Sequence, residues 1–148
     1  MKSIVTFMGV AMLAMGSLMA HAQQTANTGS AAQAAAAKSQ KLNRAQFDAL
    51  LAKPAELLVL DVRRPDELTK NGGFPVYLSI QSRELEKNLA FVPKDRSIVT
   101  VSNHAGRAVA AADLLARNGF KVAGAIGAQD YEAEGGSLVK IVPPAPKN

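Results

Sequence analysis

The chain of 148 residues contains no cysteine and no tryptophan, and its aromatic content is 5%. The missing cysteines remove thiolate nucleophiles, disulfide exchange and cysteine metal sites in one stroke. They also mean that the fold is held by core packing alone, although exported proteins commonly use disulfides. With so few aromatics there is little to stack nucleobases. The formal charge of +5 comes from 17 basic residues interleaved with 12 acids (RELEK, PKDR, RRPDE) rather than gathered in a stripe. A nucleic-acid role is therefore not expected. Histidine is scarce as well, with His21 and His104 only, and no carboxylates or histidines stand at ligand spacing, so no metal site and no cofactor are expected.

The N-terminus reads MKSIVTFMGVAMLAMGSLMAHAQQ: one lysine, an apolar run over 4–20, then Ala20-His21-Ala22. These are the parts of a secretory signal peptide over 1–22, cut after Ala22. The alternative is a retained anchor, but 17 residues is the lower limit for spanning a bilayer and no cluster of Lys or Arg follows. Export to the periplasm or the medium, without stable membrane insertion after cleavage, is the expectation. Residues 23–40 are small and polar and read as a flexible linker. The end, 143–148, reads as a disordered proline-rich tail. Residues 41–142 suffice for one domain with one core.

Within that domain, Asn43 with Gln46 makes a capping box, and Leu42 with Phe47 is placed to staple the helix start. Pro54 ends this first helix. Glu56 to Val62 (ELLVLDV) is a continuous apolar run of strand length, as expected for a parallel strand covered on both faces. RRPDEL predicts a turn into a short helix and NGGFP a second turn. PVYLSI (75–80) predicts a short strand, and SRELEKNLAFV (82–92) a helix capped by Ser82. Arg96 to Val101 is another apolar strand. RAVAAADLLARNGF is a helix stopped at Gly119, KVAGAI a further strand, and AQDYEAEGG the start of a last helix. Alternation of strand and helix predicts an α/β fold, a parallel sheet flanked by helices on both faces. Ligands of such sheets sit at the carboxyl ends of strands, which directs attention to the loops beginning at Asp61 and Ser102.

In order and spacing these pieces resemble the rhodanese homology domain over 42–138. The resemblance is carried by Asp61-Val62-Arg63 with Glu67, by PKDRSIVTV entering a loop whose first residue and Arg107 are five apart, and by LLARNGFKV. It implies a single rhodanese-like domain. Working members are sulfurtransferases: a cysteine opening the loop takes sulfur from a donor such as thiosulfate as a persulfide, while inward loop N–H groups hold the anion. Here that position is Ser102. The turn expected as Gly-His-Ile-Pro-Gly reads Gly72-Gly73-Phe74-Pro75-Val76, Ala108 follows the loop arginine, and Ile126-Gly127 with Tyr131 stand where two glycines and a tryptophan are usual.

The candidate site is thus an anion-binding loop of Ser102, Asn103, His104, Ala105, Gly106 and Arg107, supported by Asp61 and Arg63. No catalytic residue is expected, because a persulfide needs a protein sulfur. Nor can a helix dipole worth about 1–2 kcal/mol ionise a hydroxyl. A Ser102 hydrolase would need His104 as base and a third group to orient it. Arg107 reads as an anion contact, as the partner of an acid such as Asp61 or Glu67, or as both at once, and Arg63 as a structural ion-pair partner. The expected function is an inactive module that binds a small anion (thiosulfate, sulfate or phosphate), a peptide or a protein partner. The alternative is a sulfur-handling accessory that binds thiosulfate or supports a partner sulfurtransferase.

Overall fold

The computed structural model describes residues 38–143; the expected signal peptide, most of the expected linker and most of the tail lie outside them. Asn43 caps α1 (Arg44–Leu51) through the predicted box: its side chain accepts from Gln46 N, while the Gln46 side chain accepts from Asn43 N. Then follow β1 (Leu57–Asp61), α2 (Pro65–Asn71), β2 (Leu78–Ser79), a 3-10 helix (Glu86–Phe91), β3 (Ser97–Ser102), α3 (Ala105–Arg117), β4 (Val122–Gly127) and α4 (Ala128–Ala133).

All strand pairs are parallel, in the order β2-β1-β3-β4. After β1 the chain moves outward to β2, then crosses back to β3 on the opposite side of β1. The switch point of the sheet therefore lies between the ends of β1 and β3, at Asp61 and Val101, which are in register. The strands are apolar on both sides because both are covered. Val59, Val99, Val101 and Ile126 pack with Phe47 of α1 and Tyr131 of α4, whereas Leu60, Val62 and Ile98 pack with Ala111 and Leu115 of α3. On the first face Phe47, Phe74 and Tyr131 meet edge to face, with ring centroids 4.8–5.8 Å apart. On the other, the alanines of α3 let it lie close to the sheet: Ala108 and Ala112 contact Ala125.

Backbone pairing begins before the expected start of the domain. Gln40 O accepts from Ala125 N and Leu42 N donates to Ala125 O, so this short segment covers the outer edge of β4. The close approach explains Gly124, whose φ of +155° and 2.7 Å clearance to Leu42 leave no room for a Cβ.

Two predicted elements differ. The helix expected over 82–92 is a 3-10 helix at Glu86–Phe91 without a side-chain cap, kinked at Asn88. Ser82 is not a cap because residues 82–85 form a turn and the helix begins only at Glu86, with Leu85, fully enclosed, at its N-cap; the Ser82 N–H donates to Val62 O. The strand expected over 75–80 shrinks to Leu78–Ser79, leaving Val76 81% exposed. Among the described residues no helix is long and apolar enough to cross a membrane.

Candidate functional site

The site grows out of the two strands flanking the switch point. Asp61 ends β1 fully buried, and Arg63 folds back onto it, also fully buried. The Arg63 guanidinium donates to Asp61 through Nη2 (2.7 Å) and Nε (3.0 and 3.1 Å), and Arg63 N donates to Asp61 Oδ1 at 3.0 Å. Two opposite charges that are enclosed and fully hydrogen-bonded tolerate burial, whereas either alone would not. Arg63 Nη1 reaches on to Asn103 Oδ1 at 3.3 Å, so the pair also anchors the loop after β3.

Pro65 opens α2 and places Glu67 one turn in, facing the same loop. Glu67 accepts from Arg107 Nη2 and Nη1 at 2.7 and 3.0 Å, from Asn103 Nδ2 at 2.8 Å and from Arg64 N at 3.0 Å. The Arg107 guanidinium is the leading cause that holds the Glu67 carboxyl down at about 2, from an ordinary 4.5. The same bidentate contact raises the Arg107 pKa. Of the two readings of Arg107, the structure places it on an acid, and the acid is Glu67 rather than Asp61.

Ser102 closes β3 and is fully buried. Its hydroxyl donates to His104 O and accepts from Ala108 N at 3.0 Å, so both its proton and a lone pair are engaged by main chain across the loop. Next to it Thr100 Oγ1 donates to Ala108 O at 2.8 Å, tying the first turn of α3 to β3. His104 is the N-cap of α3 and contributes no side-chain cap. Its ring points outward, 71% exposed, with Nδ1 2.8 Å from Asp130 Oδ1. Serine, histidine and aspartate are therefore neighbours without forming a triad. The serine hydroxyl bonds to the His104 carbonyl, the ring bonds to the aspartate, and no serine–imidazole bond joins them.

Asp130, in the first turn of α4, was not among the residues singled out in the sequence. Its second oxygen accepts from Ala105 N at 3.3 Å and lies 3.1 Å from Lys41 Nζ. The bond with His104 is the leading cause that lowers the Asp130 pKa. Lys41 is the other residue the sequence reading passed over. Asp130 had a legible signal: it follows β4 at its carboxyl end, beside the loop after β3, where this fold class gathers ligands. The exposed rim of the loop faces a groove of about 550 Å³ lined by Lys38, Lys41, His104, Val109, Asp113 and Asp130.

The departures at the turn and the last helix are structural. Gly72 has a φ of +74°, and Gly73 pairs with Val139 of the C-terminal segment. A side chain at Gly73 would meet Leu68, Arg63 and Ile141. Tyr131 joins the aromatic cluster and donates its hydroxyl proton to Asp48 Oδ1 at 2.8 Å.

With this geometry, the domain is rhodanese-like: a single α/β domain with a four-stranded parallel sheet in which Ser102 stands at the first position of the loop. Among solved structures it is similar to a rhodanese-related protein from Thermoplasma volcanium, with a TM-score of 0.60 and 26% identity over 69% of this chain and 99% of that one. A Staphylococcus aureus rhodanese-like domain protein shares the fold at a TM-score of 0.56 and 18% identity, over 62% of this chain and 90% of that one. So does a Rhodopseudomonas palustris protein described as a possible tyrosine phosphatase, at 0.60 and 23%, over 74% and 90%. No protein-family model and no curated protein matches the sequence.

Proposed function

We propose that this chain is an exported rhodanese-like module that has lost sulfur transfer and serves as a binding domain, with the rim of the Ser102–Arg107 loop as its contact surface. The observation that carries the proposal is the state of Ser102. The chain has no sulfur nucleophile, and the oxygen standing at that position is enclosed and shared between His104 O and Ala108 N. Activating this hydroxyl would require a base within hydrogen-bond reach, and the imidazole is turned away toward Asp130. The ligand class that suits the rim is a small oxyanion such as thiosulfate, sulfate or phosphate, because Lys41, His104 and the first amides of α3 are grouped there. A protein or peptide partner is the other occupant of this reading.

A role in sulfur handling without a covalent persulfide fits the same rim if the oxyanion is thiosulfate. The test is transfer of sulfur from thiosulfate to cyanide by the purified protein, read as thiocyanate, together with calorimetric titration of thiosulfate, sulfate and phosphate. The proposal expects no thiocyanate above the uncatalysed background and a measurable heat for at least one oxyanion. Catalytic turnover would overturn it. Heat for thiosulfate alone, undiminished by excess sulfate, would favour sulfur handling over the broader binding role.

A further inference from the structure

A bound oxyanion at this loop would seek three donors: the Lys41 ammonium, the His104 ring and the Ala105 amide. All three already meet one carboxylate. Asp130 lies 3.1 Å from Lys41 Nζ and 2.8 Å from His104 Nδ1, and it accepts from Ala105 N at 3.3 Å. The donors come from two separate parts of the chain, namely the segment covering β4 and the adjacent residues His104 and Ala105 where the loop after β3 enters α3. Asp130 itself comes from a third, α4. Its fold-back depends on Gly127, the N-cap of α4, since a Cβ there would collide with the Asp130 carboxyl group. The groove of about 550 Å³ opens onto this cluster, so a solute can reach the donors from outside.

We infer that Asp130 is an intramolecular counter-ion occupying an oxyanion site made of Lys41, His104 and Ala105 N, so that ligand binding there requires its displacement. This rests on the oxyanion reading of the rim and names what regulates it. The contact costs little to open. The lysine side chain is 58% exposed, the histidine 71% and Asp130 itself 24%, so both contacts are solvent-screened rather than locked in a core. By contrast Glu67, which holds Arg107, is 13% exposed and tied by four donors, and it stays in place. The site therefore sits at the His104 end of the loop and not at Arg107, the end that the loop's sequence would suggest.

The experiment is calorimetric titration of sulfate, thiosulfate and phosphate at constant ionic strength into the wild-type protein, Asp130→Asn, and Asp130→Asn combined with either Lys41→Ala or Arg107→Ala. Circular dichroism verifies that each variant is folded. Removing the competing charge should tighten oxyanion binding about tenfold, within the usual range of coupling between a site and an occupant. Adding Lys41→Ala should cancel most of that gain. Equal affinities in wild type and Asp130→Asn would overturn the counter-ion role while leaving the oxyanion reading intact. Absence of binding in every variant, at concentrations where the ions are saturating in ordinary sites, would overturn both. If Arg107→Ala rather than Lys41→Ala abolishes the gain, the site is at the other end of the loop and the assignment fails.

Discussion

Replacing Glu67 with Gln probes the contact that holds α2 against the loop. The substitution keeps the shape and one acceptor oxygen but removes the charge that faces Arg107, Asn103 Nδ2 and Arg64 N. The drop of the carboxyl from 4.5 to about 2 sets a ceiling of about 3 kcal/mol on what the folded environment contributes to the ionised form. Arg107 is 34% exposed, and solvent screening of that partner brings the expected loss to about 2 kcal/mol. For a domain of this size that is about 8–16 °C in Tm. Because the folded-state pKa is depressed, the stabilisation is complete above pH 4.5 and is lost as the pH falls toward 2. Urea and thermal unfolding followed by circular dichroism at pH 7 and at about pH 3 should therefore show a gap between wild type and variant that narrows in acid. A Tm at pH 7 within about 2 °C of wild type, or a gap that does not depend on pH, would refute the reasoning.

Three further substitutions test separate parts of the account. Asp61→Asn strips the buried Arg63 of its counter-charge, and a loss of about 3–5 kcal/mol should leave little folded protein, as judged by proteolysis and near-UV dichroism. Tyr131→Phe keeps the aromatic trio and loses one bond to the half-exposed Asp48, so the cost should be near 1 kcal/mol in urea unfolding; a loss above about 3 kcal/mol would contradict it. Phe47→Ala empties the centre of the first core face, and a loss of about 3–5 kcal/mol is expected in the same assay.

The sheet was legible because continuous apolar runs such as 56–62 and 96–101 have few alternatives to a doubly covered parallel strand. The capping box at Asn43 was equally legible, since it is written in local spacing alone. The segment after β2 misled because its helical pattern is overridden by tertiary demands: Ser82 N serves Val62 O, and Leu85 must be buried. In the site, the loop residues and Asp61 with Arg63 could be found from their position at strand ends. Their partners could not be settled the same way. Whether Arg107 faces a ligand or Glu67, and whether an acid from beyond β4 reaches His104, depends on how separate loops converge above the sheet. Spacing along the chain does not encode that convergence. Lys41 was hidden for the same reason, because it reaches the site by covering the edge of β4 from a stretch that read as the border of a linker.

The central claim is that this rhodanese-like domain performs no sulfur transfer, and the most direct measurement is thiocyanate formation from thiosulfate and cyanide by the purified wild-type protein, with Ser102→Cys assayed beside it. The account predicts a wild-type rate indistinguishable from the uncatalysed reaction, and a cysteine variant held low by the enclosure of position 102. Wild-type turnover that Ser102→Ala abolishes would contradict it.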